Sequence, residues 1–311
     1  MITVASDGFL VVDKPGGMTS HDVVSVARRA LGTRKVGHAG TLDPMATGVL
    51  VLGFGNGTRL LQYITDGSKS YQATMLLGIS TVSDDADGEV LEVKDASAIT
   101  QSEIEKTLAT MRGEIEQRPS SVSAVKVDGK RAYDRVREGE DVQLASRRVT
   151  ISELRIDAVR VVGKTVEVDI FVTCSAGTFI RAIARDCGAL LGVGGHLISL
   201  RRTQVAAFGL DRSITLEALK SGDFTTLDLA TTASTIFPSR ILDGAEENEL
   251  HFGRVLTGSG NSGITAGITS DGHLNALLEE RDGKAHPIAV FHREQKAGIL
   301  KRLKCLLVVK M

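Results

Sequence analysis

Residues 37–48 read GHAGTLDPMATG, a run that places one carboxylate, Asp43, among glycines. The proline directly after Asp43 disfavours helical backbone at that residue. Glycines at positions 37, 40 and 48 permit tight turns and positive φ angles on either side. The run therefore predicts a shaped loop that presents a single carboxylate, although an Asp-Pro pair alone is also typical of an ordinary structural turn.

The sequence on both sides of this loop predicts interspersed strands and helices. Runs of apolar residues indicate strands, and apolar residues recurring every three or four positions behind a capping residue indicate helices. Because no strict strand–helix–strand repeat is present, we predict an α+β fold with a mixed, largely antiparallel sheet flanked by helices. The predicted strands are 9–14, 49–52, 71–77, 89–93, 148–161 and 165–173, and the predicted helices begin at Thr19 or Ser20, at Thr100 (ending at Gly113) and at Gly177.

The helix predicted after Gly177 carries both apolar and basic residues. Its spacing places Ile183, Cys187, Leu190 and Leu191 towards the core. Arg181 and Arg185 are then one turn apart on another face.

A second unit is predicted towards the C-terminus. The small polar run 231–235 reads as a break, and beyond it glycines separate brief apolar runs, a pattern typical of a small β-rich domain. We therefore predict a larger domain over residues 1–235, a β-rich domain over 236–295 and a basic tail over 296–311.

Composition favours a soluble, metal-free protein. Of 311 residues, 42% are hydrophobic and 24% charged, and the sequence shows no signal peptide or membrane span, so we expect a cytoplasmic location. The three cysteines and seven histidines form no cluster of ligand spacing, so no metal site or disulfide framework is predicted.

The net charge of −1 conceals a segregation of charge along the chain. Basic residues dominate 28–35 and 126–137, whereas acidic residues dominate 84–105. This pattern favours a basic face that binds a polyanion and an acidic back, although solvated surfaces are the plainer interpretation.

Two short runs resemble ligand loops only in part. Residues 53–58 follow an apolar strand, but their Gly-x-Gly-x-Gly spacing departs from the dinucleotide fingerprint and lacks the Gly-Lys-Ser/Thr of a phosphate loop. Residues 83–88 resemble half of a calcium loop, but Lys94 occupies its twelfth position and cannot bind calcium. A nucleotide-dependent enzyme stays an alternative, and the acidic turn is expected to join two strands or to line a site.

Five segments together resemble the bacterial tRNA pseudouridine synthases of the TruB family, over residues 9–208. They are residues 13–20, 37–50, 69–71, 119–137 and 174–202. The resemblance implies a pseudouridine-synthase fold and conversion of the uridine at position 55, in the T-loop of tRNA, to pseudouridine without a cofactor or a metal. Residues 236–293 are more weakly similar to the small PUA-like RNA-binding domain that ends many members.

The resemblance implies catalytic roles for three residues. Asp43 matches the family's catalytic carboxylate, and the sequence leaves open whether it attacks the sugar, attacks the base or acts as a base at the sugar. Tyr71 matches the residue that stacks on the target base. We expect Arg181 to pair with Asp43, because a nearby cation favours the ionised form of a carboxylate.

Substrate-binding roles follow from the same resemblance. His38 matches the histidine that enters the RNA loop vacated by flipped bases, and Leu200 and Phe179 are expected to complete an apolar slot. Phe179 stands where members usually carry Tyr, and Ser120 and Val122 replace a Pro and an aromatic residue. The expected phosphate contacts are Lys14, Lys69, Lys126, Arg131 and Arg202.

The leading hypothesis is an RNA-modifying isomerase that flips a uridine out of the T-arm of tRNA. We expect it to act as a monomer that requires no protein partner. The alternative from another class is a non-catalytic RNA-binding or tRNA-folding module. Loss of product with retained binding on Asp43→Asn would show that both activities coexist.

Overall fold

The computed structural model describes residues 6–120, 126–127, 130–131 and 144–292, with side chains described outside 121–143. The chain divides into two units, Met1–Leu227 and Asp228–Met311. In the first unit the helices are α1 (Ser20–Leu31), α2 (Leu61–Thr65), α3 (Gln101–Ala109), α4 (Ile180–Leu190) and α5 (Leu216–Ser221). Its strands are β1 (Gly8–Lys14), β2 (Val36–His38), β3 (Thr47–Phe54), β4 (Lys69–Leu77), β5 (Ile79–Thr81), β6 (Val90–Val93), β7 (Gly113–Gln117), β8 (Lys126–Val127), β9 (Lys130–Arg131), β10 (Arg147–Val162), β11 (Thr165–Cys174), β12 (Gly195–Val205), β13 (Phe208–Gly209) and β14 (Ile214–Thr215).

A mixed sheet forms the centre of the first unit. Among the described residues its strand order is β14-β1-β3-β12-β4-β11-β10-β7, with β2 paired to β3 and β13 to β12. Only the β1–β14 and β12–β3 pairs in this described sheet are parallel. The prediction of an α+β fold with a largely antiparallel sheet is therefore confirmed.

The strand neighbours bring distant motifs together. Strand β12 lies between β3 and β4, so the end of the Asp43 loop, the Tyr71 strand and the strand of Leu200 are adjacent. Two apolar clusters pack on these strands. One is built from β4, β11, α3 and α4, and the other from β1, β3, α1 and α5.

Capping residues fix the helix starts close to their predicted positions. Thr19 caps α1 and forms a reciprocal capping box with Asp22, and Thr100 does the same with Glu103 at α3. Helix α3 ends at Ala109 rather than at the predicted Gly113, because Gly113 already begins strand β7.

Helix α4 differs from its prediction at both ends. It begins at Ile180, after Phe179, and Leu190 is 66% exposed instead of facing the core. Ile183 and Cys187 are buried as predicted, and Leu191 packs against the core cluster just beyond the helix end.

The second unit contains helices α6 (Leu229–Ile236) and α7 (Gly244–His251) and strands β15 (Ser239–Leu242), β16 (Leu256–Thr257), β17 (Gly263–Thr269), β18 (Leu274–Arg281) and β19 (Lys284–Val290). The strands form a small sheet in the order β15-β17-β18-β19-β16. The β-rich character predicted for this region is confirmed. The basic tail over 296–311 lies outside the described residues.

The break predicted at 231–235 is wrong in its local structure. These residues lie inside α6, where the Asp228 side chain accepts a hydrogen bond from Thr231 N at 2.8 Å. Burial of Leu229 and Ala233 adds to this cap and outweighs the weak helix propensity of threonine. None of the helices in the described ranges is long and apolar enough to cross a membrane.

We expect Gly48→Ala to destabilise the first unit strongly. Gly48 has φ +100°, and an added Cβ would lie 2.1 Å from the Arg202 carbonyl oxygen on the paired strand. Gly113→Ala is the matched control, because Gly113 has φ +85° with nothing within 4 Å of its Cβ position. Urea unfolding should show a loss of roughly 1–2 kcal/mol for the control and at least about 3 kcal/mol for Gly48→Ala. Equal losses would contradict the steric argument.

Candidate active site

The Asp43 loop joins β2 to β3 and is held from two sides. Ser20, at the start of α1, bonds both polar groups of the Leu42 backbone, at 2.9 Å to N and 3.1 Å to O. The Pro44 carbonyl accepts from Gly17 N at 2.9 Å and from Lys14 Nζ at 3.3 Å. The backbone on both sides of Asp43 is therefore fixed before any substrate binds.

Arg181 and Asp43 form the predicted pair. Arg181 Nε lies 3.1 Å from Asp43 Oδ2, with 5% of the arginine side chain and 37% of the aspartate side chain exposed. Arg181 comes from the first turn of α4, so the helix brings a buried cation to an accessible carboxylate. This arrangement places a buried guanidinium against a carboxylate that a substrate can reach.

A second carboxylate, which the sequence reasoning missed, also binds Arg181. Asp85 Oδ2 lies 2.8 Å from Arg181 Nη1, and the same nitrogen donates to the Ser83 carbonyl at 2.8 Å. Asp85 is buried, so the guanidinium has an inner partner as well as Asp43. The sequence signal that could have predicted this ion pair is the presence of two adjacent aspartates, Asp84 and Asp85, and of two arginines spaced one helical turn apart, Arg181 and Arg185.

The acidic turn also supplies Asp84, which binds the second arginine of α4. Asp84 Oδ2 lies 3.0 Å from Arg185 Nη1, and its backbone has φ +60°. Burial raises the pKa of Asp84 above its usual value, against the opposing effects of Ser120 and Arg185. The expectation of an acidic, solvent-facing back is therefore wrong for Asp84 and Asp85, because both are buried and form ion pairs with arginines.

A cavity of about 480 Å³ opens beside Asp43. Tyr71, Phe179 and Leu200 contribute its apolar walls, and Arg147 also lines it. Tyr71 and Leu200 are almost fully buried, and burial raises the pKa of the Tyr71 phenol. The cavity thus combines one reachable carboxylate with two aromatic side chains and one aliphatic side chain. Arg147 was not singled out from the sequence.

Three of the expected phosphate-binding residues are buried, and their side chains donate hydrogen bonds to backbone carbonyls. Lys14 Nζ donates to Met18 O at 2.6 Å and to Pro15 O at 2.9 Å, and burial lowers its pKa to about 8. Lys69 Nζ donates to the carbonyls of residues 65 and 67 at 2.6 and 2.8 Å. Arg202 donates to those of residues 49 and 40 at 2.8 and 3.0 Å. Lys69 and Arg202 nevertheless line the cavity. Phosphate contacts by these three residues stay predictions.

His38 is absent from the lining of the described cavity. His38 is half-buried on β2, and burial lowers its pKa. Lys126 and Arg131 pair through their backbones in the β8–β9 ladder, and their side chains lie outside the described set. Their RNA contacts stay predictions.

Ligand loops suggested by sequence fragments have other structures. Residues 53–57 form the end of β3 and the start of a 3-10 turn, Gly55–Arg59. Within the described ranges, no group of three or more His, Cys, Asp or Glu side chains is placed to hold a metal ion.

Comparisons with known proteins cover both units. The family model for the TruB family pseudouridylate synthase N-terminal domain matches residues 28–180. The tRNA pseudouridylate synthase B C-terminal domain model matches 181–229, and the tRNA pseudouridine synthase II C-terminal model matches 237–292.

Similar curated proteins are named tRNA pseudouridine synthase B. One from Mycobacteroides abscessus is 52% identical over 284 residues, covering 91% of this chain and 95% of that protein. One from Arthrobacter sp. (strain FB24) is 51% identical over 295 residues, covering 91% and 96%. The fold is also similar to that of a chain in the crystal structure of a Cbf5-Nop10-Gar1 complex, with a TM-score of 0.67 and 24% sequence identity. The match covers 92% of the present chain and 84% of the Cbf5-complex chain. By these family models and relatives, the chain belongs to the TruB family of pseudouridylate synthases.

Proposed function

We propose that this protein is a tRNA pseudouridine synthase, which converts the uridine at position 55 of the T-loop to pseudouridine. The observation that carries the proposal is Asp43, a reachable carboxylate paired at 3.1 Å with the buried Arg181 beside an apolar cavity. The relatives named tRNA pseudouridine synthase B support the choice of tRNA as the substrate.

The reaction needs few chemical groups. The bond from the sugar C1′ to uracil N1 breaks, the uracil turns and C5 bonds to C1′. The hydrogen on C5 leaves as a proton and N1 takes up a proton, so the product is an isomer of uridine. No electrons are gained or lost and no other group enters. One ionised carboxylate supplies the nucleophile or base that these steps require, and Asp43 is the cavity's reachable carboxylate among the described residues.

The cavity fits a uracil ring that has left its stack. Extracting a base from a folded arm costs a few kcal/mol. Stacking on an aromatic side chain returns roughly 1–3 kcal/mol per base. Tyr71 is the proposed stacking residue, with Phe179 and Leu200 as further apolar walls, because all three line the cavity beside Asp43.

Binding of the tRNA arm involves more than the cavity. We assign the PUA-like region, residues 236–295, an accessory role in binding RNA, and we infer that the protein acts as a monomer in the cytoplasm, where tRNA is found. A single chain already holds the carboxylate, its arginine and the apolar walls, which supports a monomer. Light scattering of the protein with one equivalent of tRNA should show a 1:1 complex.

Release of tritium tests the proposed function directly. A T-arm transcript carrying 5-tritiated uridine should lose tritium to water on incubation with the wild-type protein, because bonding at C5 expels that hydrogen. A transcript with cytidine at position 55 and tritiated uridines elsewhere is the control and should release none. Tight binding of tRNA without release from either transcript would favour the non-catalytic RNA-binding module instead.

A further inference from the structure

Helix α4 begins without a side-chain cap of its own. Its N-cap residue is Phe179, whose side chain has no hydrogen-bonding group. The helix nevertheless has to be placed accurately, because Phe179 lines the cavity and Arg181, two residues later, binds Asp43.

Gln117, on strand β7 at the edge of the described sheet, forms hydrogen bonds to the backbone of Phe179. The Phe179 N–H donates to Gln117 Oε1 at 2.8 Å, and Gln117 Nε2 donates to the Phe179 carbonyl at 3.0 Å. The amide orientation is determined, because one partner only donates and the other only accepts. The Gln117 side chain is buried, so water does not readily replace either bond.

Arg147 holds the ring of the same residue. Strand pairing places Arg147 directly opposite Gln117, so both side chains lie on one face of the sheet. The Arg147 guanidinium carbon lies 4.8 Å from the centre of the Phe179 ring, within the range of a cation–π contact. In this cross-strand pair, Gln117 therefore binds the backbone of Phe179 and Arg147 contacts its ring.

We infer that Gln117 and Arg147 are positioning residues, which fix Phe179 and through it the cavity wall and the Arg181–Asp43 pair. The inference rests on the proposed function, because it assigns the two residues to the reaction at that site. Neither needs to touch the reacting atoms. Displacing a reacting group by about 1 Å is enough to reduce a rate by about 100-fold.

Gln117→Met tests the backbone contact, since methionine has a similar length and neither bonding group. We expect kcat for tritium release to fall by roughly 10- to 100-fold, with KM for tRNA changed by less than about threefold. Gln101→Met, the same substitution at an exposed position on α3, is the control and should leave both constants unchanged. A rise in KM with unchanged kcat would overturn the inference.

Arg147→Lys tests the ring contact while keeping the charge. Lysine loses the planar stacking of a guanidinium, so we expect kcat to fall about fivefold. In a Phe179→Leu background, which lacks the ring, the same substitution should have no further effect, whereas Gln117→Met should still lower kcat. Arg148→Lys, at the exposed neighbour, is the control. An undiminished effect of Arg147→Lys in the Phe179→Leu background would overturn the ring contact, even if Gln117→Met failed to fold.

Hydrogen exchange separates this inference from the proposed function. The Phe179 amide hydrogen should exchange at least about tenfold faster in Gln117→Met than in the wild type. In Gln101→Met its exchange rate should equal that of the wild type. If the wild type released no tritium but this exchange difference were present, the proposed function would fail and the fixation of Phe179 would stand. Unchanged exchange, or faster exchange with undiminished kcat, would overturn the inference.

Discussion

Asp43→Asn should reduce tritium release by about 10⁴-fold or more, the loss expected when a nucleophile or base is removed. Asparagine has nearly the same shape but carries no charge, so it cannot attack a sugar or base carbon or accept a proton. The expected loss is the same for all three routes that the sequence left open. The measurement is the single-turnover rate with excess protein and a 5-tritiated T-arm transcript.

Folding and tRNA binding should survive this substitution. The Asp43 side chain is 37% exposed, and Arg181 keeps its inner partner Asp85 at 2.8 Å, so no buried charge is left alone. Asp223→Asn, at an exposed position outside the cavity, is the control and should retain full activity. Residual activity above a tenth of wild type in Asp43→Asn would remove Asp43 from the chemistry.

The sequence predicted best those features that depend on neighbouring residues. The helix start at Thr19 or Ser20 followed from a capping residue, and the start at Thr100 from a capping box with Glu103, which lies only three positions further along the chain. Apolar runs likewise identified five strands of the large sheet, β1, β3, β4, β10 and β11, whereas the central strand β12 was not predicted. The run 231–235 was misread because its threonines suggested a break, while the cap at Asp228 and the buried side chains of α6 depend on the folded unit.

Charged residues were the hardest to place from sequence. Counting charges treats each lysine or arginine as a solvent-facing group, yet Lys14 and Arg202 satisfy their donors on backbone carbonyls inside the fold. Such carbonyls become available only where loops and strand ends converge, and this convergence depends on tertiary structure. Asp85 was missed for the same reason, because its link to Arg181 joins residues 96 positions apart.

Arg181 is the residue whose removal should combine a catalytic and a structural effect. Its guanidinium joins the reachable Asp43 to the buried Asp85. Arg181→Met should lower kcat by about 1000-fold, since the ionised Asp43 loses its cation, and should destabilise the fold by roughly 3 kcal/mol, since Asp85 is left as a buried unpaired charge. Single-turnover tritium release and urea unfolding measure the two effects separately.

A second variant separates the two roles of Arg181. Arg181→Met combined with Asp85→Asn removes the unpaired buried charge, so most of the lost stability should return. Activity should stay low, because Asp43 still lacks the cation that lies 3.1 Å away in the wild type. If activity returned together with stability, Arg181 would serve only to neutralise Asp85, and Asp43 would need no cation to react. Low activity at restored stability would instead assign Arg181 to the chemistry of Asp43.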